Sequence, residues 1–536
     1  MMTSRSIEGT LLRRVAGMVF AVAVVSLLCV AILASGAFAQ ADPTVAKVDA
    51  GPVRGASVGD VISWKGIPFA APPVGELRFR NPQPVKAWEG IKETTKFAPA
   101  AMQTDDLPKS EDCLYLNVFR PAKTSAQPLP VMVWFHGGVM LHGSSTIYPG
   151  EALAAQGVIV VTVNFRLGRL GYFAHPALAA EAPDEVRGNY GFMDQRFALQ
   201  WVQKNIAAFG GDPKQVTIFG ESAGGGSVLA HVVSPMSRDL FQRAIIQSHA
   251  SPTARAGVAR SSDLAKAEQV AVEWSRSIGV TGEGAAALKQ LRALPAEKFI
   301  EGASAKEGIA ALSAGKVLPG MAWAIIDGRF LTEAAEATLA AGRQNKVPVI
   351  VGSNDRDIGL STAGSKDELF AVFGPDAARA REVYDPRGDQ TLEELLVQVS
   401  MDSTMTEPAR HLANELARAG QSVWLYRFAY VSQAQRGQLM GTMHAFEIPF
   451  TLNIPGVLVG ADRVTPTDKM MGDLTSAYWA QFGKTGDPNG GGRPDWPRHD
   501  PAADRIMHFT NGGVIVGTDP LKPRVDLWQK VWARAK

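Results

Sequence analysis

Gln215-Val216-Thr217-Ile218-Phe219 is a β-branched and aromatic run that leads directly into Gly220-Glu221-Ser222-Ala223-Gly224, with the small residues Gly225, Gly226 and Ser227 behind it. A strand that ends in Gly-x-Ser-x-Gly and passes into a helix is the context of a nucleophile elbow, in which a tight turn exposes the serine hydroxyl. Gly220 and Gly224 suit that turn because a side chain at either place would collide across it. Backbone N–H groups at the start of the following helix could meet an oxyanion. Taken alone, the motif is more often a Gly-rich turn with an incidental serine. A catalytic reading requires oxyanion donors, an acid and a base elsewhere in the chain.

Each is available. Leu129 to Phe135 is an apolar strand-like run ending in His136-Gly137-Gly138-Val139, the chemistry of a loop that turns backbone N–H groups toward a nucleophile. Downstream of Ser222, the run Lys346 to Val351 ends in Gly352-Ser353-Asn354-Asp355-Arg356-Asp357-Ile358-Gly359. An acid just beyond a strand lies at the carboxyl edge of a sheet, and Asp355 and Asp357 both qualify by position. In such a fold the order along the chain is serine, acid, histidine. His444 follows the strand-like Val423–Phe428, within Gly441-Thr442-Met443-His444-Ala445-Phe446-Glu447-Ile448-Pro449-Phe450. His136 belongs to the oxyanion loop, His142, His175 and His231 precede or adjoin the elbow, His411 lies in a helical pattern, and His499 and His508 fall in the C-terminal segment.

The elements that must position these groups alternate. Val158 to Phe165 is a second β-branched run, and Arg196 to Phe209 has helical spacing and stops at Gly210-Gly211 before the elbow strand. Strand, helix, strand in this order predicts an α/β fold with a mostly parallel sheet and crossover helices. The alternating stretch from Thr44 to Ile67 predicts a strand meander at the sheet edge. From about 250 to 320 the chain is rich in Ala, Lys and Glu and broken by Gly-containing segments, which reads as a helical insertion.

In their order, several segments resemble the type-B carboxylesterase/lipase family, the α/β-hydrolases that include the cholinesterases. They are Lys65-Gly66-Ile67-Pro68-Phe69, Ser110-Glu111-Asp112-Cys113-Leu114, the elbow, Val163-Asn164-Phe165-Arg166-Leu167-Gly168, Gly188-Asn189-Tyr190-Gly191, Asp194-Gln195, the His444 loop and Phe482-Gly483-Lys484-Thr485-Gly486-Asp487-Pro488-Asn489. The resemblance runs from about residue 44 to Trp532. It implies the α/β-hydrolase fold, a large central sheet with helices on both faces and a lid formed by the insertion at about 250–320. It also implies oxyanion donors at Gly138, Val139 and Ala223, and a triad of Ser222, Asp357 and His444. The family pattern Gly-x-Asn-x-Asp-Glu-Gly, aligned on Gly352 and Asn354, selects Asp357 over Asp355. By the same resemblance Arg78–Glu111 and Arg166–Asp194 are internal ion pairs, and Ser248 is the serine that hydrogen-bonds the triad acid. The chain departs from the family at Val139, His249 and Ile358, where glycine is usual, and at Asp357, where glutamate is more common.

The implied activity is hydrolysis of small-molecule carboxylic esters through an acyl-enzyme. Amide, carbamate or lactone cleavage would use the same triad, and a non-catalytic binding module is the reading from another class. Glu221 is read either as a source of negative potential in the cleft or as a structural carboxylate. Trp323 and Phe450 are aromatics that either line the cleft or pack in the core. Neither a metal nor an organic cofactor is required, and no His/Cys ligand cluster is visible.

The 536 residues are 46% hydrophobic and 20% charged, which suits a globular chain with a large core. A net charge of +2 without a basic block gives nucleic-acid binding no electrostatic support. Residues 1–39 read as a signal peptide: Arg5, Arg13 and Arg14 precede an apolar run from Val15 to Leu33, and Ala37-Phe38-Ala39 offers a cleavage site before Gln40. The domain then spans 40–536, and export to the periplasm or beyond the cell is expected. A membrane association is expected only if this segment stays uncleaved. Cleavage leaves Cys113 as the sole cysteine, hence no internal disulfide.

Overall fold

A computed structural model describes residues 42–123, 125–249 and 262–534. The signal-peptide reading and the start of the insertion, 250–261, lie outside the described residues. The elements below belong to a compact unit, Ala46–Lys536.

An 11-stranded sheet forms its centre. From edge to edge it runs Gly513–Thr518, Arg505–Thr510, Val423–Ala429, Val349–Asn354, Arg243–Gln247, Gly211–Glu221, Leu129–Phe135, Ile159–Val163, Tyr115–Pro121, Val61–Pro68 and Ala56–Val58. All pairs from Arg505–Thr510 to Ile159–Val163 are parallel, and the pairs outside them are antiparallel. This is the α/β-hydrolase arrangement. Of the edge meander expected from Thr44 to Ile67, Ala56–Val58 and Val61–Pro68 form the sheet edge, whereas Gly51–Arg54 pairs with Lys92–Glu93 in a separate sheet.

The strands are continuous apolar runs because both faces of the sheet are covered. Val131, Val133 and Phe135 point into one core, and the intervening Met132 and Trp134 into the other. Helices Tyr190–Asn205 and Ala223–Val233 fill the first core through Phe192, Leu199, Val202, Val228, Leu229 and Val232. Helix Pro466–Thr485 closes the second with Met471, Tyr478, Trp479 and Phe482. Its ends are set by local chemistry: Thr465 and Asp468 form a reciprocal capping box, Pro466 opens the first turn, and Gly486 stops it in a left-handed conformation.

Within the insertion, helices Leu264–Ser277, Ala285–Ala293 and Ala305–Ser313 follow one another. Two pairs expected inside the fold are formed. Arg78 makes 2.5 and 2.7 Å bonds to Glu111, and Arg166 makes 2.8 and 2.7 Å bonds to a fully buried Asp194.

Candidate active site

The strand ends of the parallel sheet converge on one place. Strand Gly211–Glu221 delivers Ser222, whose φ of 56° and ψ of −123° lie outside the ordinary range for a residue with a side chain. The turn is held because a Cβ on Gly220 would come within 2.6 Å of the Gly224 and Phe135 backbones. At Gly224 it would overlap the Phe135 carbonyl.

Three side chains from three strand ends meet in a line. His444 Nε2 lies 2.9 Å from Ser222 Oγ, and its Nδ1 lies 2.5 Å from Asp357 Oδ1. A carboxylate can only accept, so Nδ1 carries the proton and Nε2 is the acceptor toward the serine. The aspartate side chain reaches the imidazole and is itself held in place by two amides. Asp357 Oδ2 accepts from Asn354 N at 3.0 Å, and Oδ1 accepts from Ile358 N at 2.8 Å. Burial would raise the Asp357 pKa, but His444 and these two amides outweigh it and hold the carboxyl below its ordinary value.

Asp355, the other acid eligible by position, does a different job. Its Oδ1 accepts from Thr442 N at 2.7 Å and so grips the loop that carries His444. Asn354 adds a second tie, donating from Nδ2 to the Met443 carbonyl and to Glu447 Oε2, each at 2.7 Å. Glu447 and Asn354 are positioning groups that sequence reasoning passed over. Glu447 lies three residues beyond His444 in a segment already singled out, yet its partner is 93 positions away in the chain.

The bond expected from Ser248 to the acid is not made. Ser248 Oγ is buried without a hydrogen-bond partner among the described residues, and Asp357 is served by backbone amides instead. Met401 also contributes, its thioether accepting from Asp357 N at 3.0 Å. It precedes a five-residue π-helical turn, Asp402–Thr406, that projects Thr404 and Met405 into the cavity. No periodicity in the sequence signals such a turn.

On the opposite side, His136 fixes the Gly-rich loop. Its ring stacks on Phe165 at 4.4 Å, its Nδ1 lies 2.8 Å from the Gly137 carbonyl, and burial lowers its pKa to about 4. Gly138 has a φ of 105° and Val139 a φ of 56°. The latter is a strained conformation for a β-branched residue. Val139 can be held there because it and Leu141 pack toward Gly308 of the helix Ala305–Ser313, where no side chain stands in the way. The amides of Gly138, Val139 and Ala223 are not donated elsewhere among the described residues.

His249 also has a structural account. Its ring occupies the space above Gly225 and Gly226, where a Cβ on Gly226 would lie 2.6 Å from the imidazole Cε1. Its Nδ1 lies 3.2 Å from the Ser222 carbonyl. Glu221 is buried beside these three side chains, with Oε1 3.3 Å from His444 Nε2. Burial drives its carboxyl well above the usual range, and the Glu447 and Asp357 carboxylates push the same way, against the opposite pull of His444. Burial also opposes charge on His444, but the carboxylates of Glu221 and Asp357 outweigh it and raise the imidazole pKa.

These groups open into one cavity of about 330 Å³, the size of a small-molecule site. Trp323 lines it, whereas Phe450 packs in the core against Phe428 and Tyr430.

Comparison with known proteins places the chain in a family. Residues 42–528 match the model of the carboxylesterase family. The chain belongs to that family. It is 34% identical to the fumonisin B1 esterase of Sphingopyxis macrogoltabida, over 90% of each chain. With the para-nitrobenzyl esterase of Bacillus subtilis it shares 35% identity over 82% of this chain and 89% of that one. With liver carboxylesterase 1 of Oryctolagus cuniculus it shares 32% identity over 88% and 90%. A solved PNB esterase structure superposes with a TM-score of 0.77 at 30% identity, covering 91% of this chain and 99% of that one. As a member of the carboxylesterase family the chain is a carboxylic ester hydrolase of the serine type, acting on a small-molecule ester.

Proposed function

We propose that Ser222 is the nucleophile, His444 the general base and Asp357 the acid that orients it, with the amides of Gly138, Val139 and Ala223 as the oxyanion hole. The observation that carries this reading is the hydrogen-bonded line Ser222–His444–Asp357, at 2.9 and 2.5 Å. His444 Nε2 takes the hydroxyl proton as Ser222 Oγ forms a bond to the ester carbonyl carbon. The carbonyl π electrons move to oxygen, where the three amides meet the developing charge, each donor contributing about 3 kcal/mol. Collapse breaks the bond to the alkoxy oxygen, which leaves with the proton from His444 as an alcohol. A water then repeats the sequence on the acyl-enzyme and returns the carboxylic acid and free Ser222.

Replacing Ser222 by alanine is expected to abolish hydrolysis of p-nitrophenyl butyrate and labelling by an organophosphate, with the far-UV circular dichroism unchanged. Undiminished turnover would overturn the assignment. In the same assay Asp357→Asn should lower kcat by about 10³- to 10⁴-fold through loss of the correct imidazole tautomer. Asp355→Asn should cost far less, since an amide oxygen can still accept from Thr442 N.

We further infer that residues 1–39 direct export. This rests on the arginines before the apolar run and on Ala37-Phe38-Ala39. Amino-terminal sequencing of protein recovered from the periplasm or medium should begin at Gln40. Recovery of intact chain in the cytoplasm would refute it.

A further inference from the structure

The loop given the oxyanion role carries strain on two adjoining residues. Val139 and Met140 have φ of 56° and 54°, left-handed values that side chains disfavour, a β-branched one most of all. A turn with two central residues at positive φ ordinarily takes Gly, Asn or Asp there. Such a conformation persists only where its surroundings over-determine it. The peptide that matters joins Gly138 to Val139, because the proposed donor N–H of Val139 and the Gly138 carbonyl share its plane. That carbonyl accepts from Leu141 N at 2.9 Å and from His142 N at 3.0 Å. The donor therefore keeps its orientation only while Leu141 keeps its seat.

Two glycines from different parts of the molecule border that seat. A Cβ on Gly168 would lie 3.7 Å from Leu141 Cδ2. One on Gly308 would lie 2.4 Å from Leu141 Cδ1 and 3.6 Å from Val139 Cγ1. Gly168 opens the helical turn Gly168–Gly171, and its N–H donates to the Met140 carbonyl at 2.7 Å. Gly308 belongs to the insertion helix Ala305–Ser313. The residue after Gly168 straps that helix down from both sides. Arg169 Nη1 donates to the Phe299 and Glu301 carbonyls, at 2.9 and 2.8 Å, ahead of the helix. Its Nε donates to the Pro319 carbonyl at 2.7 Å, beyond the helix. One short turn thus holds the strained loop with Gly168 and the insertion with Arg169.

We propose that Gly308 and Arg169 are positioning residues for ester hydrolysis, because docking of the insertion helix on Val139 and Leu141 completes the oxyanion hole. When the helix lifts, Leu141 releases the Gly138 carbonyl and Val139 relaxes to negative φ. Gly138 then lets the peptide turn its N–H out of the site. The proposal rests on the triad and oxyanion reading given above. The experiment measures kcat and KM for p-nitrophenyl butyrate, and Ki for an aliphatic trifluoromethyl ketone, whose adduct with Ser222 carries an oxyanion. The variants are Gly308→Ala and Arg169→Gln, each alone and combined with Val139→Gly. Glycine at 139 takes a positive φ without strain, so the loop no longer depends on the helix. Alanine at 308 adds one methyl and favours the helix itself, so this variant should melt close to the wild-type temperature. Each single substitution should lower kcat at least tenfold and raise Ki by a similar factor, with KM changed less than threefold. In the Val139→Gly background the same substitutions should cost less than threefold. Unchanged kcat and Ki in Gly308→Ala would overturn the proposal. So would losses of equal size in the two backgrounds, which would mark a merely structural effect. Undiminished turnover by Ser222→Ala would instead defeat the triad reading itself.

Discussion

With His444 as the proposed general base, Glu221 sets a condition on when it can work. Its Oε1 is 3.3 Å from His444 Nε2, and its charge, together with that of Asp357, raises the imidazole pKa against the effect of burial. General-base action needs neutral imidazole, so a raised pKa shrinks the active fraction as pH falls. Glu221→Gln keeps the shape and removes the charge. The His444 pKa should then drop, and the acid limb of the kcat/KM profile should move to lower pH. A limb that stays in place would mean that Glu221 is already uncharged in the free enzyme, held neutral by its own burial. That Glu221 adjoins the proposed triad was legible from its place beside Ser222. That its carboxyl faces the histidine was not, because the Glu221–His444 contact joins two strand ends remote in sequence.

At the scale of elements, the fold was largely readable from local pattern. Leu129–Phe135 is a strand with the bounds its apolar run suggests, and Gly486 and Pro466 mark the ends of their helix. What local pattern could not supply is the compensation between elements. His249 stands where the resemblance implies glycine, and its ring is admitted by Gly226 of the neighbouring helix. Alanine ordinarily stabilises a helix interior by about 1 kcal/mol relative to glycine. Here Gly226→Ala should destabilise, because the new methyl would lie 2.6 Å from the His249 ring. In a His249→Ala background the same substitution should become neutral or stabilising. A double-mutant cycle on urea midpoints measures this reversal of sign, and additive effects would show that the ring and the glycine do not contact. The Asp402–Thr406 π-turn is the other element hidden from sequence, since it is one residue of extra winding within a helical run.

Across the whole molecule, the insertion is tied to the body by several guanidiniums, Arg78 and Arg169 among them. Arg78 is buried and bonds Glu111 with two nitrogens. Its Nη1 donates to the carbonyls of Leu291, Arg292 and Leu294, at the end of helix Ala285–Ala293. The resemblance pointed to the Arg78–Glu111 pair, but the carbonyl triplet is more than 200 residues downstream and only the fold brings it there. Removing one partner of such a buried set leaves the others desolvated and unpaired, at a cost of about 3–5 kcal/mol. Arg78→Ala should therefore lower the melting temperature and speed proteolysis within the Leu264–Ser313 helices ahead of the sheet. Arg78→Lys should rescue little, because an ammonium cannot bond a carboxylate with two parallel donors and still reach three carbonyls. Limited proteolysis with fragment mass analysis separates the outcomes. Cuts that begin in the insertion support a local anchor, whereas simultaneous loss of sheet and insertion would show that Arg78 stabilises the molecule only as a whole.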